Sequence, residues 1–330
     1  MSHRIVRLAL ALFLFATPLF AGTVLVAYTD MEPDVLNRYR RDLAEKFPDL
    51  SIKWVRESGG PITARLLAEK DNPQADIIFG LALSGVLAVD RQGGLETYRP
   101  EGMDSVPPML RDDRDHPTWA GMNVVVGALA VNTRECERLG IPVPESWRDP
   151  IKPEYRGHIV MPNPLSSGTA YLHVTGWLQN LGEDKAWEFM EALDKNVKMY
   201  VHSGSKPAQM AAMGETPIGV SVDAYIATYL KKRTPLETVV PVDGVGWDIV
   251  AATLVKGGKN PEAARRLMDY AVSPDSARIG LEFDYLPVRP ENDGPRQAEL
   301  CSRLLPMDLR RAAEERDRVL AEWRRRFGSE

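Results

Sequence analysis

Hydrophobic positions along the first third of the chain recur at two different spacings. Residues 51–56 alternate polar and apolar side chains, as a half-buried strand does, whereas residues 33–47 repeat apolar side chains at helical spacing, with Pro33 in the first turn. The same pattern predicts further strands at 23–28 and 76–79 and further helices at 62–70 and 84–92. Strands that alternate with helices in this order predict a mainly parallel sheet with helices on both faces.

A second set of alternating elements follows. Its predicted strands are 124–131, 158–161, 197–200, 217–222, 238–241 and 249–255, and its predicted helices include 167–181 and 261–272. Two such sets in 330 residues predict the α/β class, with two α/β lobes, a hinge and a cleft between the lobes. We expect 22–120 to form the first part of lobe 1, 121–239 to form lobe 2, 240–295 to return to lobe 1, and 296–330 to form a charged amphipathic C-terminal helix.

The N-terminal residues have the pattern of a secretion signal. Arg4 and Arg7 precede an apolar run at 8–15 that is too short to span a bilayer. We therefore expect 1–21 to be a signal peptide, cleaved after Ala21, and the mature chain to be exported.

The chain is acidic overall, with a formal net charge of −5 and no stripe of basic residues. This composition argues against nucleic-acid binding. Its two cysteines, Cys136 and Cys301, lie far apart in the sequence, and we expect no disulfide between them. We also expect a monomer.

Candidate binding residues are those that directly follow predicted strands, because ligands of open α/β sheets bind outside the carboxyl ends of the strands. The strongest candidate is the segment 164–171, which leaves a strand and opens a helix. First-turn amides of a helix carry partial positive charge and suit a phosphate or phosphonate group, to which Ser166, Ser167, Gly168 and Thr169 add hydroxyls and close backbone approach. The alternative is that Ser166 or Ser167 is an ordinary helix cap.

Two further turns have similar chemistry. Ser203, Ser205 and Lys206 would add hydroxyls and a positive charge, and Ser58 and Gly59 could supply donors from the first lobe. The alternative for each is an ordinary turn between a strand and a helix. Ser203 and Lys206 also match the S-x-x-K pattern of serine acyl enzymes, so a secreted serine hydrolase is an alternative function, although neither S-D-N nor K-T-G occurs in the sequence.

Acidic residues also follow strands or turns, namely Asp30, Glu32, Asp223 and Asp248. A carboxylate that faces an anion site is unfavourable unless a cation lies between them, so these acids favour a zwitterionic ligand. Thr29 lies at the same strand end as Asp30, and Trp247 beside Asp248 could cover an ammonium group by a cation–π contact. We expect at least two of the four acids to be caps or surface charges instead.

Several chemical motifs are missing from the sequence. It contains no nucleotide-binding glycine motif, no pair of histidines at metal-ligand spacing and no C-x-x-C. We therefore expect no metal, no cofactor and no catalysis.

At these segments the chain resembles the periplasmic binding proteins of ABC importers in the iron(III)-type cluster, in particular those for 2-aminoethylphosphonate. The matching stretches are 28–32, 62–70 with 72–76, 166–171, 202–207, 214–215 with 218–219, 246–248 and 285–290. The resemblance implies a type II periplasmic-binding-protein fold, an organophosphonate ligand and an ABC permease partner in the inner membrane. It also implies that the phosphonate binds 166–169 and 203–206, and that the ammonium meets an acid, with Asp248 and Glu32 the first choices.

The chain departs from the family pattern at the tyrosines, at the turn 58–61 and at Pro33-Asp34 after Glu32. Iron-binding relatives use two adjacent tyrosines, whereas Tyr225 and Tyr229 are four apart here, which argues against iron. The turn at 58–61 also differs from the usual Ser-Thr-Gly turn of the aminoethylphosphonate binders. A receptor for a sugar phosphate, a polyamine or ferric iron in the same fold is therefore the main alternative.

Overall fold

The computed structural model of the protein describes residues 24–230, 232–287 and 295–328. The predicted signal peptide at 1–21 lies outside these ranges. Of the helices within them, none is both long enough and apolar enough to cross a bilayer.

One ten-stranded sheet system runs through the described residues. Its strands are β1 (Val24–Thr29), β2 (Ser51–Arg56), β3 (Ile77–Ala82), β4 (Trp119–Asn132), β5 (Ile159–Pro162), β6 (Val197–Val201), β7 (Ile218–Val222), β8 (Leu236–Val239), β9 (Trp247–Leu254) and β10 (Leu286–Pro287). β1 pairs in parallel with β2 and β3, and β5 pairs in parallel with β6 and β7, as the alternating pattern predicts.

The long strand β4 belongs to both lobes. Every one of its residues is buried, which explains why it reads as a continuous apolar run. Its first half pairs with β9 as far as Val126, and its second half pairs with β7 from Gly127 onwards. The strand order is β2-β1-β3-β9-β4 in the first lobe and β4-β7-β5-β6 in the second, so the predicted two-lobe α/β fold is confirmed. We propose the change of partner between Val126 and Gly127 as the lobe boundary, instead of 120/121.

Helices cover the strands of both lobes. The first lobe carries α1 (Pro33–Lys46), α2 (Gly59–Ala68), α3 (Leu83–Arg91), α9 (Pro261–Ala271) and α10 (Pro274–Glu282). The second carries α4 (Thr133–Leu139), α5 (Gly168–Leu181), α6 (Glu183–Asp194), α7 (Lys206–Ala212) and α8 (Asp223–Leu230). Cys136 is buried in α4, and no disulfide joins it to Cys301 among the described residues.

The chain crosses between the lobes at two glycines that touch each other. The amide of Gly127 in β4 donates to the carbonyl of Gly246, just before β9, at 2.9 Å. A Cβ on Gly246 would lie 2.4 Å from the carbonyl oxygen of Leu172 in α5, so the crossing requires glycine there. The middle of α5 therefore packs directly on the hinge.

The C-terminal segment is three helices and not the single helix predicted. They are α11 (Pro295–Arg303), α12 (Leu309–Glu314) and α13 (Arg316–Phe327). Between α11 and α12 the chain is extended, with Leu305 N bonded to Val245 O at 3.0 Å. The Asp308 side chain then accepts from Arg311 N and starts a new helix, because an aspartate at this position satisfies an unpaired first-turn amide.

Candidate functional site

The candidate site lies in the cleft, where the first turns of two helices from opposite lobes meet. The amide of Gly60 in α2 donates to the carbonyl of Ser166, before α5, at 3.2 Å. A Cβ on Gly168 would lie 3.2 Å from the Cβ of Ala82 in the first lobe. The segments that the sequence singled out at 58–60 and 166–169 are thus direct neighbours across the cleft.

The start of α5 presents amide groups to the cleft. Ser167 is the N-cap of α5, because its hydroxyl accepts a hydrogen bond from Ala170 N. It is one of the two serines predicted as possible caps. The carbonyl of Ser167 accepts from Tyr171 N, so Gly168 and Thr169 supply the first-turn amides that have no acceptor within the helix. These amides and the helix dipole favour an anion at this point.

The turn at 203–206 packs against the start of α5. A Cβ on Gly204 would lie 2.2 Å from Thr169 Oγ1, so only glycine allows this approach. The hydroxyls of Ser203 and Ser205 are 3.1 Å apart. The Lys206 ammonium donates to Gln209 Oε1 at 2.9 Å, and its charge is therefore held along its own helix.

Two acids of the first lobe face these second-lobe groups. Glu32 pairs with Arg56 at 3.2 Å and lines the same cavity as Ser205 of the opposite lobe. Burial raises the pKa of Glu32, while Arg56 and Ser205 oppose that rise. Burial, together with the charges of Glu32 and Asp248, raises the pKa of Asp30 to about 7. The first-lobe wall of the cleft is therefore acidic where the second-lobe wall carries hydrogen-bond donors.

Two of the predicted ligand residues support the backbone of the first lobe. Thr29 is fully buried, and its hydroxyl donates to Gly80 O at 3.1 Å and accepts from Met31 N. Asp248 is also buried and accepts from Ser84 Oγ at 2.8 Å and from Ile249 N at 2.7 Å. Burial raises the pKa of Asp248 to about 6, and backbone hydrogen bonds from the start of α3 oppose the rise. Asp248 is therefore tied to the first turn of α3 through the Ser84 hydroxyl.

The predicted pairing of Trp247 with Asp248 around an ammonium group finds no support in their positions. Neighbouring residues of a strand point to opposite faces, and the Trp247 indole donates to Leu305 O at 2.9 Å in the C-terminal segment. Asp223 is buried at the start of α8 and pairs with Arg296 at 3.2 Å. Burial raises the pKa of Asp223 to about 7.

The first-lobe turn at 58–60 differs from its predicted form. The helix predicted from residue 62 already begins at Gly59, and the Ser58 side chain makes no capping hydrogen bond. Gly59 faces Asp30, because a Cβ there would lie 2.8 Å from Asp30 Oδ2. The two glycines of this turn allow the backbone to come close to the opposite lobe and to Asp30.

Sequence reasoning missed three residues of the cleft: Arg56, Tyr225 and Tyr285. Tyr225 lies near Thr169, which opposes the rise in its pKa, and burial raises the pKa of both Tyr225 and Tyr285. Tyr225 could have been found by its position, because it follows β7. Arg56 is the last residue of β2, and Tyr285 lies in one of the stretches that resemble the family. A cavity of about 260 Å³ opens beside these residues, lined by Glu32, Ser205, Tyr225, Lys232 and Tyr285 among others. Its size suits a small metabolite.

Neither a metal site nor a nucleophile–base pair is formed by the residues singled out above. Across the parts of the chain that the structure describes, no three His, Cys, Asp or Glu side chains are grouped to hold a metal ion. Ser203 bonds to Ser205 and Lys206 bonds to Gln209, so Ser203 and Lys206 are not arranged as nucleophile and base.

Comparison with known proteins gives consistent matches. The family described as "Bacterial extracellular solute-binding protein" matches residues 72–301. An uncharacterized protein of Haemophilus influenzae is 30% identical over 77% of this chain and 74% of its own length. The probable ABC transporter periplasmic-binding protein y4fP of Sinorhizobium fredii is 25% identical over 73% of this chain and 68% of its own.

Among solved structures, the chain is similar to the periplasmic binding protein AfuA of Actinobacillus pleuropneumoniae, which was determined with exogenous fructose 6-phosphate bound. The two share 28% identity and a TM-score of 0.86 over 92% of this chain and 98% of AfuA.

Proposed function

Because the chain belongs to the bacterial extracellular solute-binding proteins, the receptors that serve ABC importers, we propose that it captures a small phosphoryl compound in the periplasm. The first candidate is 2-aminoethylphosphonate, delivered to an inner-membrane permease. Closure of the two lobes around the ligand then presents the loaded receptor, and no bond of the ligand changes.

The observation that carries this proposal is the opposition of charge across the cleft. Amides of Gly168 and Thr169 favour an anionic head group on the second-lobe side. The carboxyls of Asp30 and Glu32 favour a positive or hydrogen-bond-donating group on the first-lobe side. An aminophosphonate carries both groups at the ends of a short chain.

A sugar phosphate is the second candidate, and the likeness to AfuA favours it. Carboxylates accept hydrogen bonds from sugar hydroxyls as well as from ammonium groups, so Asp30 and Glu32 fit either ligand. A polyamine fits less well, because the amides at the start of α5 repel a cation. Iron is less favoured because Tyr225 and Tyr229 are not adjacent and because no three His, Cys, Asp or Glu side chains within the described residues group together. The serine-hydrolase alternative lacks a Ser203–Lys206 pair, since Lys206 bonds to Gln209.

Calorimetric titration of the mature protein tests the proposal. We expect one-to-one binding of 2-aminoethylphosphonate and weaker binding of inorganic phosphate, with no hydrolysis of any ligand. Binding of fructose 6-phosphate without 2-aminoethylphosphonate would assign the second candidate. If neither these compounds nor glucose 6-phosphate bind, the phosphoryl proposal is wrong, and spermidine and ferric citrate become the ligands to examine.

A further inference from the structure

Asp30 stands at the point where the acidic wall comes closest to the anion-binding end of α5. It follows β1 directly, and its amide donates to Gly80 O at 3.1 Å. A Cβ on Gly59 would lie 2.8 Å from Asp30 Oδ2 and 3.6 Å from Gly168 N. The carboxyl of one lobe and the first amide of α5 in the other therefore flank the same small space, which a side chain at residue 59 would fill.

The charged neighbours of Asp30 do not neutralise it. The carboxylates of Glu32 and Asp248 both disfavour its ionisation, and Arg56 favours it. However, Arg56 already donates to Met31 O at 2.6 Å and to Glu32 at 3.2 Å. Its charge is therefore shared with another carboxylate.

The two phenols near Asp30, one from each lobe, add no positive charge. Tyr225 of α8 and Tyr285 before β10 feel the negative charges of Asp30 and Glu32, and burial raises the pKa of both phenols, so each stays neutral. Among the described residues around Asp30, negatively charged groups thus outnumber positively charged ones, which agrees with the pKa of Asp30 near 7.

A phosphoryl group at Gly168 and Thr169 brings further negative charge beside this carboxyl. Like charges at such a separation disfavour ionisation of the carboxyl unless a cation lies between them. Resting on the proposed function, we infer that Asp30 sets ligand selectivity by binding the ammonium group of the ligand when there is one, and a proton when there is none. An aminophosphonate then binds to ionised Asp30, whereas an alkylphosphonate binds together with a proton.

The two ligands 2-aminoethylphosphonate and ethylphosphonate differ by the ammonium group, and Asp30→Asn removes the titrating group at nearly constant shape. Calorimetry at pH 8, in buffers with different ionisation enthalpies, counts the protons taken up on binding. The phosphonate itself titrates near neutral pH, and the comparison of Asp30→Asn with the unaltered protein subtracts that contribution. Asp49→Asn, an exposed lobe-1 acid paired with Arg266, is the matched control.

When ethylphosphonate binds, the unaltered protein should gain as much as about one proton more than Asp30→Asn gains. When 2-aminoethylphosphonate binds, we expect the two proteins to gain the same number of protons. Asp30→Asn should weaken 2-aminoethylphosphonate by roughly tenfold or more and leave ethylphosphonate equal or tighter. Asp49→Asn should match the unaltered protein throughout. Equal proton counts for the two proteins with both ligands, or equal losses of affinity, would overturn the inference.

Two further measurements test the inference if Asp30→Asn does not fold or if the protein does not bind phosphonates. If Asp30→Asn does not fold, the preference of the unaltered protein for 2-aminoethylphosphonate over ethylphosphonate should still grow from pH 7 to pH 9, and a constant preference would contradict the inference. If phosphonates do not bind but sugar phosphates do, glucosamine 6-phosphate and glucose 6-phosphate supply the same contrast. Failure of every phosphoryl compound concerns the proposed function instead.

Discussion

His173 occupies an environment in which protonation is costly. It is buried in α5, in contact with the rings of Trp147 and Trp177. Its Nε2 bonds to the carbonyl of Ser221 at 2.8 Å, so Nε2 carries the proton and Nδ1 is buried without a hydrogen-bond partner. Burial lowers the pKa of His173 to about 4.

This histidine predicts loss of stability in mild acid. In the unfolded chain it titrates near its ordinary value of about 6.5, so between pH 6.5 and pH 4 the unfolded state binds the extra proton. Its contribution to stability is complete above pH 6.5 and falls by up to about 1.4 kcal/mol per pH unit as the pH drops towards 4. Urea unfolding at pH 7 and pH 5 should show this loss in the unaltered protein.

His173→Gln is the matched variant, because a glutamine amide can donate to Ser221 O but does not titrate. It should be less stable at pH 7 and lose less stability between pH 7 and pH 5. An unchanged pH dependence in His173→Gln would show that other groups cause the acid sensitivity.

At the scale of single residues, roles that depend on neighbouring positions, such as helix capping, could be predicted from the sequence. Contacts between side chains far apart in the sequence could not. Ser167 was among the predicted caps because its position before a helix is visible in the sequence. The role of Asp248 depends on Ser84, which lies 164 residues earlier and meets it only through the pairing of β9 with β3. The contact of Arg56 with Glu32 was hidden in the same way, because the two residues lie 24 positions apart and meet only through the pairing of β1 with β2.

At the scale of elements, the start of α2 is shaped for lobe closure. A Cβ on Gly60 would lie 2.7 Å from Leu165 O and 2.9 Å from the Cα of Ser166, both in the opposite lobe. Glycine is otherwise unfavourable in a helix. At residue 60 it lowers the stability of α2 but lets the helix start come close to residues 165–166 of the opposite lobe.

Gly60→Ala should therefore separate stability from binding. Without ligand, the variant should be as stable as the unaltered protein or slightly more stable, because alanine favours the helix by up to about 1 kcal/mol. Ligand affinity should fall by roughly tenfold to a hundredfold, because the closed form has to relieve the overlap with 165–166. Thermal unfolding and calorimetric titration measure the two effects, and unchanged affinity would mean that closure does not bring these segments together.

Most elements were predictable from periodicity, and the exceptions have physical causes. The start of α2 was placed too late because Gly59 and Gly60 have low helix propensity and only the packing at the lobe interface favours them there. The C-terminal segment was predicted as one helix because apolar spacing continues through it. The turn at 304–308 is set instead by pairing with Val245 and by the Asp308 cap.

At the scale of the whole molecule, the C-terminal segment connects the two lobes. Arg91 of α3 donates to Ala313 O at 2.6 Å, and Tyr171 of α5 donates to Ala312 O, so α12 contacts both lobes. α13 packs on the second lobe, where the Trp323 ring lies 5.5 Å from that of Tyr200. The tail is therefore part of the folded body.

Trp323→Ala tests this attachment. Trp323 is 2% exposed, and truncation of a buried tryptophan typically costs about 3–5 kcal/mol. We expect a loss of that size in the free energy of unfolding by urea, with ligand affinity changed by less than about threefold, since the residue lies away from the cleft. Met213→Ala, at a side chain that is 67% exposed, should cost less than about 0.5 kcal/mol. A similar small cost for both variants would mean that α13 detaches from the body in solution.

The two-lobe architecture was predictable from the order of strands and helices, whereas the way the lobes join was not. A continuous apolar run such as β4 gives no sign that its pairing changes partner at Gly127. The contact between Gly127 and Gly246 joins residues that are remote in the sequence, and each glycine alone looks like an ordinary turn residue.

The position of α5 has a consequence for how receptors on this scaffold can diversify. One end of the helix holds the amides of Gly168 and Thr169, and its middle packs on Gly246 at the crossing between lobes. If α5 binds the anion as proposed, changes in this helix would disturb anion capture and lobe motion together, whereas the loop after β1 at 30–32 lies on the other wall. Sensor engineers who seek new phosphorylated analytes should therefore build libraries at residues 30 and 32 and keep α5 intact.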